Sequence, residues 1–236
     1  MSSIKQNIEQ VISQITSATE KCGRTADSVQ LLAVSKTKPI TAIKEAIAAG
    51  QFAFGENYVQ EGVEKVQHFA ASKQATQLSW HFIGPIQSNK TRQIAEHFDW
   101  VHSIDRAKIA RRLSEQRPAE LPPLNILLQV NTSAEASKSG ITFNELEALA
   151  DEIAAMPNLV LRGLMSIPQK ADDYDSQYAA FKALADAQHA LQSKHPQLDT
   201  LSMGMSGDME AAIAAGSTIV RIGTAIFGAR DYSNKQ

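Results

Sequence analysis

The chain has 236 residues, of which 43% are hydrophobic and 20% are charged, and its formal net charge is −2. This is the composition of a globular protein with a large core, and the near-neutral charge gives no electrostatic basis for binding nucleic acid or an anionic membrane. With no membrane-length apolar stretch, no signal-peptide pattern and a single cysteine, Cys22, we expect a cytoplasmic protein without an internal disulfide.

The first predicted element is an amphipathic helix over roughly residues 3–21, where isoleucine and valine recur at helical spacing. Eight short apolar runs follow, and we predict strands at 31–36, 52–57, 79–84, 100–105, 125–131, 159–167, 200–205 and 218–222. Segments with helical periodicity lie between them, at about 40–49, 56–72, 87–96, 105–117, 142–156, 172–195 and 207–215. One helix start is marked by Thr142 with Glu145 three residues later, a capping-box spacing.

A strand that alternates with a helix eight times predicts a parallel (β/α)8 TIM barrel, here one α/β domain over residues 1–236 with an extra N-terminal helix. An open doubly wound sheet is the alternative fold. It lacks support because no predicted strand is followed by a Gly-x-Gly-x-x-Gly turn, which weakens its dinucleotide-binding version.

Lys36 stands at the end of the first predicted strand. In a barrel of parallel strands, the residues at the carboxyl ends face the mouth, where active sites form. Burial there lowers the pKa of an amine and makes it a nucleophile toward carbonyl carbons. A strand-end lysine can instead extend its ammonium group into water, so Lys36 alone does not decide the function. Lys38, two residues later, is close enough in sequence to accept a carbonyl compound transiently.

The loops after the last two strands carry the second signal. Ser206 and Gly207 are predicted to lie where the seventh strand leads into a helix, with Ser206 as its N-cap, and Gly223 and Thr224 follow the eighth strand. TIM barrels often bind phosphate with these two loops and a helix N-terminus. Arg221 lies within the apolar eighth strand and must be hydrogen-bonded or paired, because burying an unsatisfied guanidinium is very unfavourable.

A carbonyl-seeking lysine on the first strand, a phosphate site after the last two strands and an arginine between them describe a site for pyridoxal 5'-phosphate (PLP). The aldehyde would form a Schiff base with Lys36, and Arg221 would face the pyridine nitrogen. No pair of histidines or cysteines has metal-ligand spacing, so no metal is expected. His81 and His102 alternate with apolar neighbours and are interpreted as hydrogen-bonded histidines of the pocket wall, not as general bases.

A series of motifs in this order and at these spacings resembles the pyridoxal phosphate homeostasis protein family, whose members are similar to the amino-terminal barrel of alanine racemase. The motifs cover nearly the whole chain: AVSKTKP at 33–39, FGENYVQE at 54–61, WHFIGPIQSNK at 80–90, VHSID at 101–105, QVN at 129–131, RGLM at 162–165, MGMSGDM at 203–209 and VRIGTAIFG at 220–228.

The resemblance implies a barrel that binds PLP and takes part in the intracellular balance of vitamin B6, without an established reaction. The residues expected to bind the cofactor are Lys36, Asn57, Met165, Ser206, Gly207, Arg221, Gly223 and Thr224. No catalytic residue is expected. The expected partners are PLP itself and PLP-dependent apoenzymes that receive it, and the protein is expected to be a monomer.

Two further observations favour a carrier over an enzyme. The chain ends soon after the eighth strand, so we expect no second domain of the kind that supplies a catalytic tyrosine to the racemase relatives. Arg221 stays protonated and leaves the ring nitrogen without a proton, which weakens the cofactor as an electron sink. Two alternatives stay open: a weak PLP-dependent racemase or lyase that uses Lys36 as its base, and a cofactor-free aldolase that also uses a strand-end lysine.

Overall fold

A computed structural model describes residues 3–133 and 139–229 of the chain. Eight parallel strands pair in chain order, and the last pairs with the first, so the sheet closes into a barrel. The strands are β1 (Gln30–Val34), β2 (Ala53–Glu56), β3 (Ser79–Phe82), β4 (Trp100–Ile104), β5 (Leu124–Gln129), β6 (Leu159–Met165), β7 (Thr200–Ser202) and β8 (Ile219–Ile222). The predicted (β/α)8 barrel is confirmed, and the doubly wound alternative is wrong.

Helices surround the barrel and include the predicted N-terminal one. Those in the described part of the chain are α1 (Ile4–Lys21), α2 (Ile40–Ala48), α3 (Val59–Phe69), α4 (Thr91–His97), α5 (Ala107–Gln116), α6 (Phe143–Ala154), α7 (Tyr174–Leu191), α8 (Met209–Ala214) and α9 (Thr224–Phe227). The predicted cap of α6 is present, since the Thr142 N–H donates to the Glu145 carboxylate at 2.9 Å. No helix within the described ranges is long and apolar enough to cross a membrane.

Around the last strands, one predicted detail is wrong and one short helix is missing from the prediction. The N-cap of α8 is Asp208 and not Ser206, because the chain makes a turn over 206–208 before the helix begins. The Asp208 carboxylate accepts the Met205 N–H at 2.6 Å and holds this turn. The one-turn helix α9 was not predicted, because four residues directly after a strand are too short to show a helical period.

The strands separate two apolar regions of very different size. Outward-facing residues such as Ala33, Phe54 and Val220 belong to the large core between the strands and the helices. Leu32 and Ile219 belong to a small second cluster inside the barrel. Because side chains alternate along a strand, Arg221, two residues after Ile219, lies on the interior face. The barrel interior therefore has one short apolar layer, and polar side chains such as Arg221 follow it toward the carboxyl ends of the strands.

Closure of the barrel brings the first and last strands side by side. Leu32 pairs with Arg221 and Ala33 with Ile222 in the β1–β8 ladder. The ends of both strands thus open at the same rim, where Lys36 follows β1 and Gly223 follows β8. This register places the two ends of the predicted site next to each other.

Candidate functional site

A cavity of about 330 Å³ opens at the carboxyl ends of the strands. Its lining comes from the segments after six strands and from β1 and β8 themselves: Val34, Lys36, Lys38, Asn57, Ile83, Ile167, Met205, Ser206, Gly207, Arg221, Gly223, Thr224 and Gly228. Seven of the eight residues expected to bind a cofactor are in this lining. A neighbouring hollow of about 360 Å³ between α1 and α8 shares Ser206 and Gly207 with it but contains neither Lys36 nor Arg221.

The two lysines of the β1 loop lie in different surroundings. Lys36 is half-buried at the cavity wall. The Lys38 ammonium group donates to the carbonyl oxygens of Phe227, Gly228 and Ala229 at 2.9–3.1 Å and so closes the C-terminal end of α9. All three protons of that ammonium group are used. The transient acceptor role considered for Lys38 would require these three bonds to break.

Arg221 is buried, with 4% of its surface exposed, and reaches the cavity from the barrel interior. Its Nη1 donates to Ser202 Oγ at 2.8 Å, and its Nη2 donates to the Ser166 carbonyl oxygen at 2.9 Å. Burial lowers the pKa of Arg221 to about 10, and the nearby Asp208 carboxylate opposes that shift. The guanidinium group is therefore still charged at neutral pH and still acts only as a donor.

A chain of hydrogen bonds continues from Arg221 into the barrel. Ser202 Oγ lies 2.9 Å from His102 Nδ1, His102 Nε2 lies 2.9 Å from His81 Nδ1, and His81 Nε2 lies 2.9 Å from Ser79 Oγ. Because the arginine only donates, Ser202 accepts from it and is left to donate to His102. His102 then donates from Nε2 to His81, and His81 donates from Nε2 to Ser79. We call this series of hydrogen bonds from Arg221 to Ser79 the relay. With this direction of donation, every buried donor in the relay has an acceptor.

Both histidines of this relay are held neutral. Burial lowers the pKa of His81 to about 3. Burial also lowers the pKa of His102 well below its ordinary value, and His81 and Arg221 add to this effect. The two histidines are hydrogen-bonded, as expected, but they do not line the cavity. Their position behind Ser202 makes them supports of Arg221 and not groups that meet a ligand.

Two buried polar atoms near the cavity lack a hydrogen-bond partner among the described residues. They are Asn57 Oδ1, on the β2 loop, and the hydroxyl oxygen of Ser166, which follows β6. A buried polar atom without a partner is unfavourable, and a ligand or water that bonds to it removes that penalty. Gly84 allows the loop after β3 to pass close to Asn57, since a Cβ at Gly84 would lie 2.2 Å from the Asn57 carbonyl oxygen. Asn57 belongs to the cavity lining, whereas Ser166 lies outside it, next to the lining residue Ile167.

The loops after β7 and β8 form the exposed side of the cavity. Ser206, Gly207 and Thr224 are exposed, and Gly223 is half-buried. A Cβ at Gly207 would meet no protein atom within 4 Å, whereas a Cβ at Gly223 would lie 3.2 Å from the Val34 carbonyl oxygen. Gly207 thus keeps its space open, and Gly223 allows β8 to pass close to β1. Hydroxyls and backbone amides in such an open turn suit an anion.

Met165 is the expected residue that is not in the cavity lining. It is the last residue of β6 and is fully buried. Ile167, two residues later, lines the cavity instead, together with Ile83 and Met205. No local pattern distinguishes these apolar residues from core positions. Ser202 ends β7 and Ser166 follows β6, but no sequence pattern indicates that both bond to Arg221.

No group of three or more histidine, cysteine, aspartate or glutamate residues is arranged to hold a metal ion within 3–133 and 139–229. The charged side chains in the cavity lining are cations: Lys36, Lys38 and Arg221. An anionic ligand with a carbonyl group fits this set of donors better than a cation.

The comparisons with known proteins agree with this geometry. A family model described as alanine racemase, N-terminal domain, matches residues 5–231. A pyridoxal phosphate homeostasis protein of Vibrio cholerae is 67% identical over 233 residues, covering 99% of each chain. One of Escherichia coli is 60% identical over 235 residues, covering 100% of each. The structure of PipY from Synechococcus elongatus with PLP bound has 36% identity and a TM-score of 0.81, covering 96% of this chain and 100% of PipY.

The buried histidines predict an acid-dependent loss of stability. Each is neutral when folded but takes up a proton near its ordinary pKa of 6.5 when unfolded, so its contribution to stability is fully present above that pH and is lost as the pH falls, down to about 3 for His81. We expect a loss of about 1.4 kcal/mol per pH unit for each histidine. The free energy of unfolding can be measured by urea denaturation at several pH values between about 6 and 4.5. Its slope against pH should be shallower by about 1.4 kcal/mol per pH unit in His81→Gln than in the wild type. Equal slopes would contradict the buried, neutral assignment.

Proposed function

This chain belongs to the pyridoxal phosphate homeostasis proteins of the alanine racemase N-terminal domain family, and we propose that it binds pyridoxal 5'-phosphate covalently through Lys36. The observation that carries this proposal is the single cavity that contains Lys36, Arg221 and the two glycine-containing loops. Its volume of about 330 Å³ lies at the lower end of the range for small-molecule sites. The function we propose is intracellular PLP homeostasis: the protein holds the cofactor and releases it.

The residues of the cavity fit the three chemically different parts of this cofactor. When bound, PLP supplies an aldehyde carbon that condenses with an amine and a pyridine ring that withdraws electrons. Lys36 provides the amine from the loop that follows β1. Asn57 lines the cavity, and its buried Oδ1 has no partner among the described residues, so we propose that it accepts a hydrogen bond from the ligand or from an ordered water. Met165 is proposed to support the wall from beneath.

Arg221 is proposed to face the ring nitrogen. Its guanidinium group already donates hydrogen bonds to Ser202 Oγ and to the Ser166 carbonyl oxygen, and these bonds fix its orientation before any ligand binds. A guanidinium group donates a hydrogen bond to a pyridine nitrogen and does not transfer a proton to it. The ring then stays neutral, and its capacity to stabilise a carbanion is smaller than with an acidic partner.

The phosphate group is proposed to lie against Ser206, Gly207, Gly223 and Thr224. Two hydroxyls and the amides of two open turns supply donors for its oxygens. The helices that follow, α8 and α9, have six and four residues, so their dipoles add less than the hydrogen bonds do.

We also propose that residues 1–236 form one cofactor-binding domain, that the protein is a cytoplasmic monomer, and that PLP-dependent apoenzymes receive the cofactor.

The attachment site can be tested by chemical trapping. Incubation with PLP and reduction with borohydride should place a pyridoxyl phosphate group on Lys36, identified by peptide mass mapping. Lys36→Ala should lose the label. Lys38→Ala is the matched control and should keep the label, because all three protons of the Lys38 ammonium group are bonded to the carbonyl oxygens of Phe227, Gly228 and Ala229. A label found mainly on Lys38, or on no lysine, would refute the assignment.

The phosphate site can be tested with two ligands that differ only in the phosphate group. Ser206→Ala and Thr224→Ala should each weaken PLP binding by about tenfold or more, because a hydrogen bond to a charged group contributes about 1.5–3 kcal/mol. Gly207→Ala should weaken it as well, since the new methyl group enters open space at the cavity. Pyridoxal, measured by the same absorbance titration, should lose little affinity. Equal losses for both ligands would show that these residues do not bind the phosphate.

We propose that the loaded protein does not turn over amino acids at a physiological rate. The neutral ring opposite Arg221 supports this expectation. Exchange of the α-proton of alanine and serine in heavy water, followed by NMR, should be far slower than the roughly 1–1000 turnovers per second common for enzymes. Exchange in that range that disappears in Lys36→Ala would favour the racemase or lyase alternative over the carrier.

A further inference from the structure

A largely buried cluster of three charged side chains lies beside Lys36 and is not explained by cofactor binding; Glu61 is its most exposed member, with 27% of its side chain accessible. Lys65, on α3, has 5% of its side chain exposed, and Glu56, at the end of β2, is fully buried. Lys65 Nζ donates to Glu56 Oε1 at 2.8 Å, to Glu61 Oε1 at 2.6 Å and to the Ser35 carbonyl oxygen at 2.7 Å. All three protons of the ammonium group are therefore used. Burying such a cluster is unfavourable relative to apolar packing, so its presence calls for a reason.

The cluster holds the backbone on both sides of Lys36. On the preceding side, Ser35 gives its carbonyl oxygen to Lys65 and donates its hydroxyl to Glu56 Oε1 at 2.5 Å. On the following side, the Thr37 N–H donates to Glu61 Oε1 at 2.6 Å. Lys36 is thus the middle residue of a three-residue segment whose two neighbours are bonded to the same set of charges.

Thr37 shows that this segment is held against a local preference. Its φ angle is +63°, and it is the one non-glycine residue with a positive φ in the described part of the chain. A β-branched residue in this region is a conformational outlier, and such a conformation costs about 1–3 kcal/mol. The bond from the Thr37 N–H to Glu61 offsets part of this cost, and Glu61 is in turn held by Lys65. Strain of this kind persists where the surrounding structure fixes the backbone.

We propose that Glu61 and Lys65 are positioning residues that hold the Ser35–Thr37 turn, so that the Lys36 amine enters the cavity in one orientation. This inference rests on the proposed attachment of PLP to Lys36. Glu56 takes part as the carboxylate that joins Ser35 to Lys65. None of the three charged side chains lines the cavity, so they act through the backbone of the turn and not through contact with the ligand.

The test compares variants at Glu61 by two measurements. Glu61→Ala should slow covalent attachment of PLP, followed by absorbance and borohydride trapping, by about tenfold to a hundredfold, the scale expected when a reacting group is displaced by about 1 Å. In the protein without PLP, hydrogen exchange of the Thr37 amide should become faster. Glu61→Gln keeps an acceptor oxygen and should restore most of both properties. Glu64→Ala, at an exposed position on the same helix, is the matched control and should match the wild type.

A second variant tests whether the slower attachment comes from backbone strain at Thr37 or only from loss of its hydrogen bond to Glu61. Thr37→Gly removes the Cβ that makes a positive φ unfavourable, so Glu61→Ala should slow attachment less in that background than in the wild type. Wild-type rates and wild-type Thr37 exchange in Glu61→Ala would overturn the positioning role, and so would equal slowing in both backgrounds. Absence of the label from Lys36 in the wild-type protein would instead refute the proposed function, which keeps the two failures distinct.

Discussion

The burial of one guanidinium group inside the barrel constrains much of this site. Arg221 lies on the interior face of β8 with only 4% of its surface exposed, so the neighbouring strands must supply most of the acceptors for its donors. β7 supplies Ser202 and the loop after β6 supplies the Ser166 carbonyl. Ser202 then requires an acceptor of its own, which introduces His102 and, behind it, His81. A single charge on one strand thus accounts for polar residues on three others.

The cavity wall has a second support with a different character. Around Arg221 the support is a line of neutral groups in which each donor has one acceptor. Around Lys36 the support is a compact set of charges that fixes backbone and not side chain. The difference follows from what each residue needs. A guanidinium group must keep a fixed plane, whereas a long flexible lysine side chain is best directed by fixing the residue that carries it.

The sequence predicted the elements of this site that depend only on topology. Parallel strands bring their carboxyl ends together, so Lys36, Arg221 and the two late loops could be assigned to one rim from their positions alone. The partners of these residues could not be assigned. His102 and Ser202 are 100 positions apart, and their contact depends on rotamers and on the exact twist of the barrel. The pairing of Lys65 with Glu61 was accessible from their helical spacing, but its contact with Ser35 was not.

The register of the barrel also has a consequence for the order of events in folding. The site takes Lys36 from beyond the first strand and Arg221 from the last, and these strands become neighbours only when β8 pairs with β1. Contacts between such distant parts of a chain form late, because the loop between them must be closed first. A chain with seven strands assembled would therefore present the lysine without the arginine. A ligand that needs both recognises only the closed barrel and stabilises it by mass action, so cofactor supply and the completion of folding are thermodynamically linked.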